Sequence, residues 1–375
     1  MERHAMFGSL LSLVDDLTKV AKSSSITAPA VQPFVYKIAQ RAERAKKQDL
    51  DIALQRMSLL VAQTELMPAA YIALGCGVII EQGGDPEIVY SAIIQRIREA
   101  LKLAPLFGAA CQNKARRNPD TCDPEDIEAC VKAYGESLLE NMYAEAQAWF
   151  VVKPMCTAAL AVLMRLPLAR NVLCQDTEFL TMIEMYPDQN ASIVCLREVL
   201  QVLDNEEILV LHPALKCGYR ICIRGVGDNF QLHTLLADAL IGNPDQGWLP
   251  GKRPDSRIAA AAKDGSLRHV DRLPAAEGAF NLWNWQGLQP DGTLPEGYRK
   301  NEHWIWNEGK PVDITRFEGI RTILLSPPPY PRTWNAGRYF PGMKGELAVL
   351  EVLSTTQVND WLRRIMAAVV QLEAE

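Results

Sequence analysis

The sequence predicts an α+β protein in which a helical domain precedes a domain built on a mainly antiparallel sheet. Residues 1–204 repeat apolar side chains every three or four positions, as amphipathic helices do. From residue 205 onward, short alternating runs and Pro/Gly-rich connections replace that period, as in strands joined by irregular loops. We therefore expect two domains, 1–204 and 205–375, and we expect the helical domain to fold separately.

Composition narrows the class of protein. The chain has 375 residues, of which 48% are hydrophobic and 22% charged, which is typical of a globular protein with room for two domains. Its net charge of −6 argues against general nucleic-acid binding, because phosphate neutralisation needs an excess of Lys and Arg. The longest uncharged apolar run, 69–80, is too short for a membrane span and contains two glycines. We expect neither general nucleic-acid binding nor a membrane as a partner, and a small basic patch stays open.

Cysteine usage and the N-terminus predict a cytoplasmic protein. The nine cysteines are odd in number, and no two have Cys-x-x-Cys spacing. Several, including Cys76 and Cys156, lie in apolar helical runs, where reduced thiols pack as small apolar side chains. The apolar run 5–14 is followed at once by Asp15 and Asp16 and has no small-residue cleavage site, unlike a signal peptide.

Capping chemistry predicts where helices begin in the first half. The dipeptides Asp85-Pro86 and Asp123-Pro124 each place a carboxylate that can cap a helix before a proline that favours its first turn. Between such breaks we expect seven to nine helices, about the number that typical helix and loop lengths allow.

The apolar segment 149–167 is expected to form the central helix of this half. It carries few charges, and Pro154 near its beginning fits an N-terminal turn better than a kink. No fixed repeat is apparent, so a bundle or an irregular stack of helical hairpins is expected instead of a solenoid.

Alternation and turn residues give the elements of the second half. Strands are predicted at 208–212, 219–224, 279–287, 302–307, 320–325 and 346–353, and helices at 230–241 and 356–372. The Gly225–Asn229 segment joins a strand to a helix, as phosphate-binding loops do, but it lacks the third glycine of a dinucleotide fingerprint. Asp228 occupies the cap position, where its carboxylate uses the amides that an anion would need. We interpret the segment as a capped turn.

Two Trp-x-Trp units are the most specific feature of the chain. Trp283 and Trp285 form the first unit, and Trp304 and Trp306 form the second. On a strand, residues i and i+2 face the same way, so pairing of two such strands would bring four indoles into one patch. The patch is either a sheet face packed beneath the C-terminal helix or an aromatic platform for a sugar, a base, a cation or a partner's side chains. We favour the packed face, because large aromatic side chains are mostly buried.

Polar residues beside the second Trp unit suggest general-base chemistry. His303 together with Glu302 or Glu308 offers a base and a carboxylate to orient it. No nucleophile in a recognisable setting accompanies them. The alternative is a loop network in which these side chains satisfy exposed backbone groups.

Two arginines flank Trp334 in a proline-rich run. Arg332 and Arg338 lie in a segment whose prolines cannot donate backbone hydrogen bonds, so side chains must anchor it. A guanidinium can bond carbonyl groups of such a loop or clamp a carboxylate or phosphate of a ligand. We expect anchoring from Arg332 and recognition from Arg338.

No metal or cofactor is expected from the motifs present. His212, Cys217 and Cys222 are each five residues apart, whereas zinc ligands usually include a close pair. His233 and His269 have no partner in the sequence and are interpreted as structural or surface histidines. No Gly-x-Ser-x-Gly, His-Glu-x-x-His or kinase motif occurs.

Four segments of the second half form a Trp-rich block. They are Gly227–Asp238, Asn281-Leu-Trp-Asn-Trp285, His303-Trp-Ile-Trp-Asn-Glu-Gly309 and Pro331-Arg-Thr-Trp-Asn-Ala-Gly-Arg338. In this block the chain resembles a family of uncharacterised bacterial proteins. The resemblance is much less clear in the helical half. It implies a bacterial source and no activity, because no function is assigned to that family.

The leading functional hypothesis is a non-enzymatic interaction or regulatory protein in a larger bacterial assembly. A concentrated Trp/Arg/Pro region is typical of interaction hot spots, and no catalytic motif competes with it. A protein partner is therefore expected, and self-association into a homo-oligomer stays open. One alternative is an enzyme that acts on a small polar substrate at His303, Glu308 and Arg338. Another is a carbohydrate-binding module that uses the tryptophans for stacking.

Overall fold

The chain divides into two compact units, Met1–Leu200 and Gln201–Glu375. The computed structural model describes residues 9–22, 27–118, 120–186, 191–295, 302–328 and 330–374. Helices make up the regular structure of the first unit, and a sheet with helices that of the second. The predicted α+β class is confirmed.

Ten α-helices and one short 3-10 helix lie in the described part of the first unit. The α-helices are α1 Leu10–Ala21, α2 Ala28–Ala42, α3 Lys47–Gln63, α4 Leu66–Glu81, α5 Glu87–Arg117, α6 Ile127–Tyr134, α7 Tyr143–Leu163, α8 Pro167–Leu173, α9 Thr177–Glu184 and α10 Ala191–Leu200. The number exceeds the prediction because α6, α8 and α9 have only seven or eight residues each. Helices of two turns are shorter than the typical length on which the prediction was based.

Helix α7 forms part of the core of this unit, where it packs against α4 and α5. It begins at Tyr143, so Pro154 lies in the helix interior and the prediction that Pro154 belongs to the first turn is wrong. Buried apolar residues on both sides of the proline offset its missing hydrogen bond. Among the described helices, α7 alone is long and apolar enough to cross a membrane, yet 61% of its apolar window is buried. Such burial is what a core helix of a soluble protein shows.

Neither Asp-Pro dipeptide places its aspartate at the cap and its proline at the first helical position, as the sequence predicted. The cap residue of α5 is Pro86, and the helix begins at Glu87. Asp85 accepts a hydrogen bond from the Glu87 amide at 3.0 Å at the start of α5. Asp126, not Asp123, is the cap of α6. Asp123 instead accepts from the Glu125 amide at 2.9 Å in the turn before that helix. The second Asp-Pro dipeptide therefore forms a turn ahead of the helix, a role that both residues also favour.

The second unit contains eight strands and three α-helices in its described part. They are β1 Leu203–His212, β2 Cys217–Val226, α11 Asn229–Leu240, α12 Ser256–Lys263, β3 Ala276–Glu277, β4 Asn281–Asn284, β5 Arg316–Phe317, β6 Ile320–Ser326, β7 Thr333–Trp334, β8 Glu346–Val352 and α13 Thr355–Ala374. The main sheet has the order β4-β6-β1-β2-β8, with β5 also paired to β6, and β3 pairs with β7 separately. Of the pairings between these strands, only that of β1 with β6 is parallel. The prediction of a mainly antiparallel sheet is confirmed.

Apolar cores lie on both faces of the sheet at β1. Ile208 and Val210 belong to the core that includes the apolar face of α11. Leu209 and Leu211, which point the opposite way, belong to the core that includes the apolar face of α13. Burial on both faces explains why β1 is a continuous apolar run instead of an alternating one.

The predicted strand at 302–307 is wrong. In the described residues of this segment, the only β-pairing is an isolated bridge between Trp304 and Trp283. The predicted strand 279–287 shortens to β4, because a 3-10 helix begins at Trp285. The Trp-x-Trp pattern indicates that two side chains point the same way if the segment is a strand. Packing of the indoles then determines whether the backbone around them is a strand or irregular.

Candidate functional site

Three of the four paired tryptophans lie in the core beneath α13. The side chains of Trp283, Trp285 and Trp304 are 2%, 8% and 4% exposed. The Trp283 and Trp304 rings stack with centroids 5.9 Å apart. The Trp283 Nε1–H donates to the Ser326 hydroxyl at 3.0 Å. A ligand cannot reach buried indoles, so the four-indole platform does not form, and the tryptophans pack beneath the C-terminal helix as the favoured alternative expected.

Trp306 is the exposed member of the second unit. Its side chain is 49% exposed, and its ring stacks on Trp304 with centroids 5.2 Å apart. Its carbonyl accepts a hydrogen bond from Asn229 Nδ2 at 2.9 Å, which ties the irregular segment to the first turn of α11. A single half-exposed indole offers far less stacking area than the sequence suggested.

The residues considered for acid–base chemistry are held apart by different contacts. His303 lies against Gly287 with its side chain half-buried, and Glu308 is exposed in the turn after Trp306. In the described ranges, no hydrogen bond or ion pair joins His303, Glu308 and Arg338 to one another. General-base catalysis uses a contact between the base and its orienting carboxylate, and this arrangement does not supply one.

Arg332 ties the proline-rich segment to the residues that precede β4. Its Nη2 donates to the Phe280 carbonyl at 3.0 Å, and its own carbonyl accepts from the Gly278 amide at 2.7 Å. The guanidinium also lies 5.5 Å from the centroid of the Trp304 ring. The side chain thus supplies the donor and the stacking plane that the neighbouring prolines lack.

Arg338 also makes anchoring bonds. Its Nη2 donates to the carbonyls of Gly265, at 3.1 Å, and Pro341, at 3.0 Å. Burial lowers its pKa from the usual value. Its Nε and Nη1 atoms have no hydrogen-bond partner among the described residues. Arg338, which the sequence assigned to recognition, therefore anchors its loop through Nη2, and its unpaired Nε and Nη1 atoms are buried.

Alanine at Arg332 or Arg338 is expected to lower the free energy of unfolding by about 1–3 kcal/mol, because each change leaves carbonyl groups without their donor. Denaturant titration of each full-length variant measures the loss. Arg268→Ala is the matched control, because Arg268 is exposed and its side chain makes no described contact, so a change within about 0.5 kcal/mol is expected. An Arg338→Ala variant as stable as this control would contradict the anchoring role.

A cleft of about 230 Å³ lies between the start of α11 and the loop from Trp334 to Tyr339. Three aromatic side chains line it. The Phe230 and Trp334 rings meet with centroids 5.5 Å apart, and Tyr339 is 49% exposed. The Trp334 Nε1–H donates to the Thr234 hydroxyl at 3.2 Å, which fixes the indole against α11.

Polar groups of opposite charge complete this cleft. Asp228 caps α11 through the Gln231 amide, at 2.7 Å from its Oδ1, as the capped-turn interpretation expected. Burial raises the pKa of the Asp228 carboxyl. Arg338 also lines the cleft, so a carboxyl group and a guanidinium group border one small space.

His233 is buried on α11, next to Thr234, which lines the cleft. It is 0% exposed, and its Nε2 accepts from the amides of Ala279, at 3.0 Å, and Phe280, at 3.4 Å. Because Nε2 accepts, the proton of the neutral ring is on Nδ1. Burial, and then the nearby charge of Arg332, lower the pKa of His233 to about 3. The neighbouring Asn307 side chain has a smaller, opposite effect on this pKa.

The buried carboxamides around this histidine were not found from the sequence. Asn229 and Asn307 are 2% and 3% exposed. Asn229 precedes His233 by four residues, so one helix face carries both, and this spacing was a usable signal. Asn307 comes from the irregular segment after Trp306, and no local pattern places it next to α11.

The histidines and acidic side chains of the described ranges do not form a metal site. Among the described residues, no set of three or more His, Cys, Asp or Glu side chains could hold a metal ion. His212 is nearly buried, and its Nδ1 accepts from the Leu215 amide at 3.3 Å in the turn after β1. His269 lies exposed before a short 3-10 helix.

Comparison with protein-family models, with curated proteins and with solved structures found no match to this chain. No family membership and no activity follow from these comparisons. The chemistry of the cleft beside α11 is therefore the ground on which a function can be proposed.

Proposed function

We propose that this protein is a non-enzymatic interaction or regulatory protein whose α+β unit binds a protein partner at the cleft beside α11. The size of the cleft is the observation that carries the proposal. At about 230 Å³, it lies below the range of about 300–1,000 Å³ that is typical of small-molecule sites. Such a space suits one large side chain, which is how an anchor residue of a partner enters an interface hot spot.

The lining of the cleft indicates an aromatic anchor with a polar tip. The rings of Phe230, Trp334 and Tyr339 offer apolar and stacking surface. The Asp228 carboxyl can accept a hydrogen bond, and the Arg338 side chain borders the same space. A Tyr or Trp side chain of the partner would satisfy both kinds of surface, and both residue types are enriched at hot spots.

The proposed setting is a larger assembly in the bacterial cytoplasm. All nine cysteines are free, which supports a reducing compartment. The resemblance of the Trp-rich block supports a bacterial source. A second copy of this chain is one candidate for the partner, and it is covered by the same experiment.

Filling the cleft tests the proposal. Gly337 lines the cleft, and a Cβ added there would meet no atom within 4 Å, so a larger side chain can enter the open space. Gly337→Phe is expected to reduce partner retention at least about tenfold, the effect of 1.4 kcal/mol of binding free energy. Gly337→Ala is the matched control and should retain the partner. The unaltered full-length protein and the two variants are each used for affinity purification from lysate of the source organism. Quantitative mass spectrometry then measures how much of each partner protein is retained.

Thermal melts show whether a loss of retention reflects weaker binding or a loss of folding. The three proteins should melt alike, because the added atoms occupy open space. If the unaltered protein, Gly337→Ala and Gly337→Phe all retain the same lysate proteins in equal amounts, the proposal is contradicted. A small molecule that stays with the unaltered protein in native mass spectrometry and leaves on Gly337→Phe would favour the alternative, an enzyme that acts on a small polar substrate.

A further inference from the structure

Three cysteines meet in the helical unit, where α5 and α6 pack together. Cys111 of α5 and Cys130 of α6 are fully buried in one apolar cluster. Cys122, from the loop between the two helices, is half-buried and packs against the same cluster. The Sγ atoms of Cys122 and Cys130 lie 3.9 Å apart. Nothing in the proposed interaction site involves these thiols.

We propose that Cys122 and Cys130 are a modification site, at which a hydroperoxide converts the two thiols into a reversible intrachain disulfide. The sulfur atoms need to approach from 3.9 Å to about 2.0 Å, the length of an S–S bond. Cys122 can supply this movement because it lies in a bend outside regular secondary structure. Cys130 already faces that loop, since its thiol donates to the Asp123 carbonyl at 3.4 Å.

The different surroundings of the two thiols assign their order of reaction. Cys122 is half-buried and is the one that a small oxidant in solvent can reach. Burial, together with the neighbouring Cys122, raises the pKa of Cys130 to about 11, so this group is a protonated thiol at neutral pH. A protonated, buried thiol is a poor first nucleophile, which leaves Cys130 to complete the reaction.

The oxidation balances with hydrogen peroxide. The Cys122 thiolate attacks one oxygen, the O–O bond breaks, and the departing hydroxide takes the proton that left the thiol and becomes water. The Cys130 sulfur then attacks the sulfenic sulfur of Cys122, the S–O bond breaks, and the Cys130 proton leaves with the hydroxide as a second water. The two thiols lose two electrons and two protons, and the peroxide is reduced to two waters. A dithiol reductant reverses the change.

The expected consequence is local. The bond would tie the bend before α6 to the helix itself and remove the thiol donor that now bonds the Asp123 carbonyl. Because only a short loop is closed, the disulfide is expected to change this corner of the helical unit without opening its core.

Peptide mapping of the full-length protein tests the site. Trypsin cleaves after Arg117 and Lys132, so Cys122 and Cys130 fall within one tryptic peptide, 118–132. After brief peroxide treatment, unfolding and alkylation, this peptide is expected without alkyl groups and two hydrogen masses lighter than its reduced form. Dithiothreitol before alkylation should restore two alkylated thiols. Cys174, which is exposed, is the internal control that reports the dose of oxidant.

Two results would overturn the assignment. If peptide 118–132 keeps both thiols alkylated while Cys174 is fully oxidised, the pair is not a disulfide site. If peptide 118–132 is instead crosslinked to peptide 103–114, Cys111 is the partner of one of the two thiols, and the pairing is wrong.

A variant assigns the roles within the pair. Cys130→Ser should leave the sulfenic acid of Cys122 without its resolving thiol, so dimedone should label Cys122 at least about tenfold more than in the unaltered protein. Equal labelling in both proteins would overturn the proposed order of reaction. Circular dichroism of the variant checks that the serine, at a fully buried position, leaves the helices intact.

Discussion

Trp283→Ala is expected to lower the free energy of unfolding by about 3–5 kcal/mol, the usual cost of removing a buried large aromatic side chain. Trp283 is 2% exposed and lies in the core between the sheet and α13. The change leaves a cavity beside Trp304 and removes the donor to the Ser326 hydroxyl. Urea titration followed by circular dichroism, which does not depend on the lost indole, measures the difference.

Trp306→Ala is the matched control for this prediction. It removes the same side chain from the same row of stacked rings, but Trp306 is 49% exposed. Because about half of its surface is already in water, we expect a loss of about 1 kcal/mol. Similar losses for the two variants would contradict the placement of Trp283 in the core and of Trp306 at the surface.

Acid is expected to destabilise the α+β unit through His233. The unfolded histidine binds a proton near pH 6.5, whereas burial lowers the native pKa to about 3. Above pH 6.5 both states are neutral, so the group adds no pH dependence. Below it the unfolded state binds a proton that the native state does not, which costs about 1.4 kcal/mol per pH unit. Between pH 6.5 and 4.5 the expected loss from this group is about 2.5 kcal/mol, and it continues toward pH 3.

His233→Gln isolates this effect from the other titrating groups. Burial also lowers the pKa of His212, so that histidine contributes to the slope in both proteins and cancels in the comparison. Over this pH range, the slope of the unfolding free energy against pH should be smaller in the variant by about 1.4 kcal/mol per pH unit, the contribution of one bound proton. NMR of the unaltered protein gives a second test, since the His233 ring should keep its neutral chemical shifts at pH 5. A ring that titrates near pH 6.5 would show that the side chain is not buried as described.

Local patterns in the sequence determined the class and many of the elements. Helix α11, expected at 230–241, is Asn229–Leu240, and Asp228 caps it as its position next to the first turn indicated. Strand β6, expected at 320–325, is Ile320–Ser326. These elements are set by apolar period and by capping or turn chemistry within a few residues, which the sequence shows directly.

Errors in the local assignment arose where distant packing overrides propensity. Pro154 continues inside α7 because apolar burial on both sides offsets its missing hydrogen bond. The segment 302–307 stays irregular because the indole of Trp304 packs on Trp283 through an isolated bridge. In both cases the local signal was real, and contacts with residues far along the chain decided the outcome.

The sequence alone identified Trp334 and Arg338, two of the residues that line the cleft, as candidates for binding. Only the tertiary structure brought them to Asp228 and Phe230 at the start of α11, about a hundred residues earlier in the chain. It also buried His233 against the backbone of Ala279, which gives the ring its low pKa. The spacing of apolar residues along the sequence predicts which side chains face inward. Which inward-facing residues then meet depends on sheet order and loop paths, and these are fixed by packing across the whole unit.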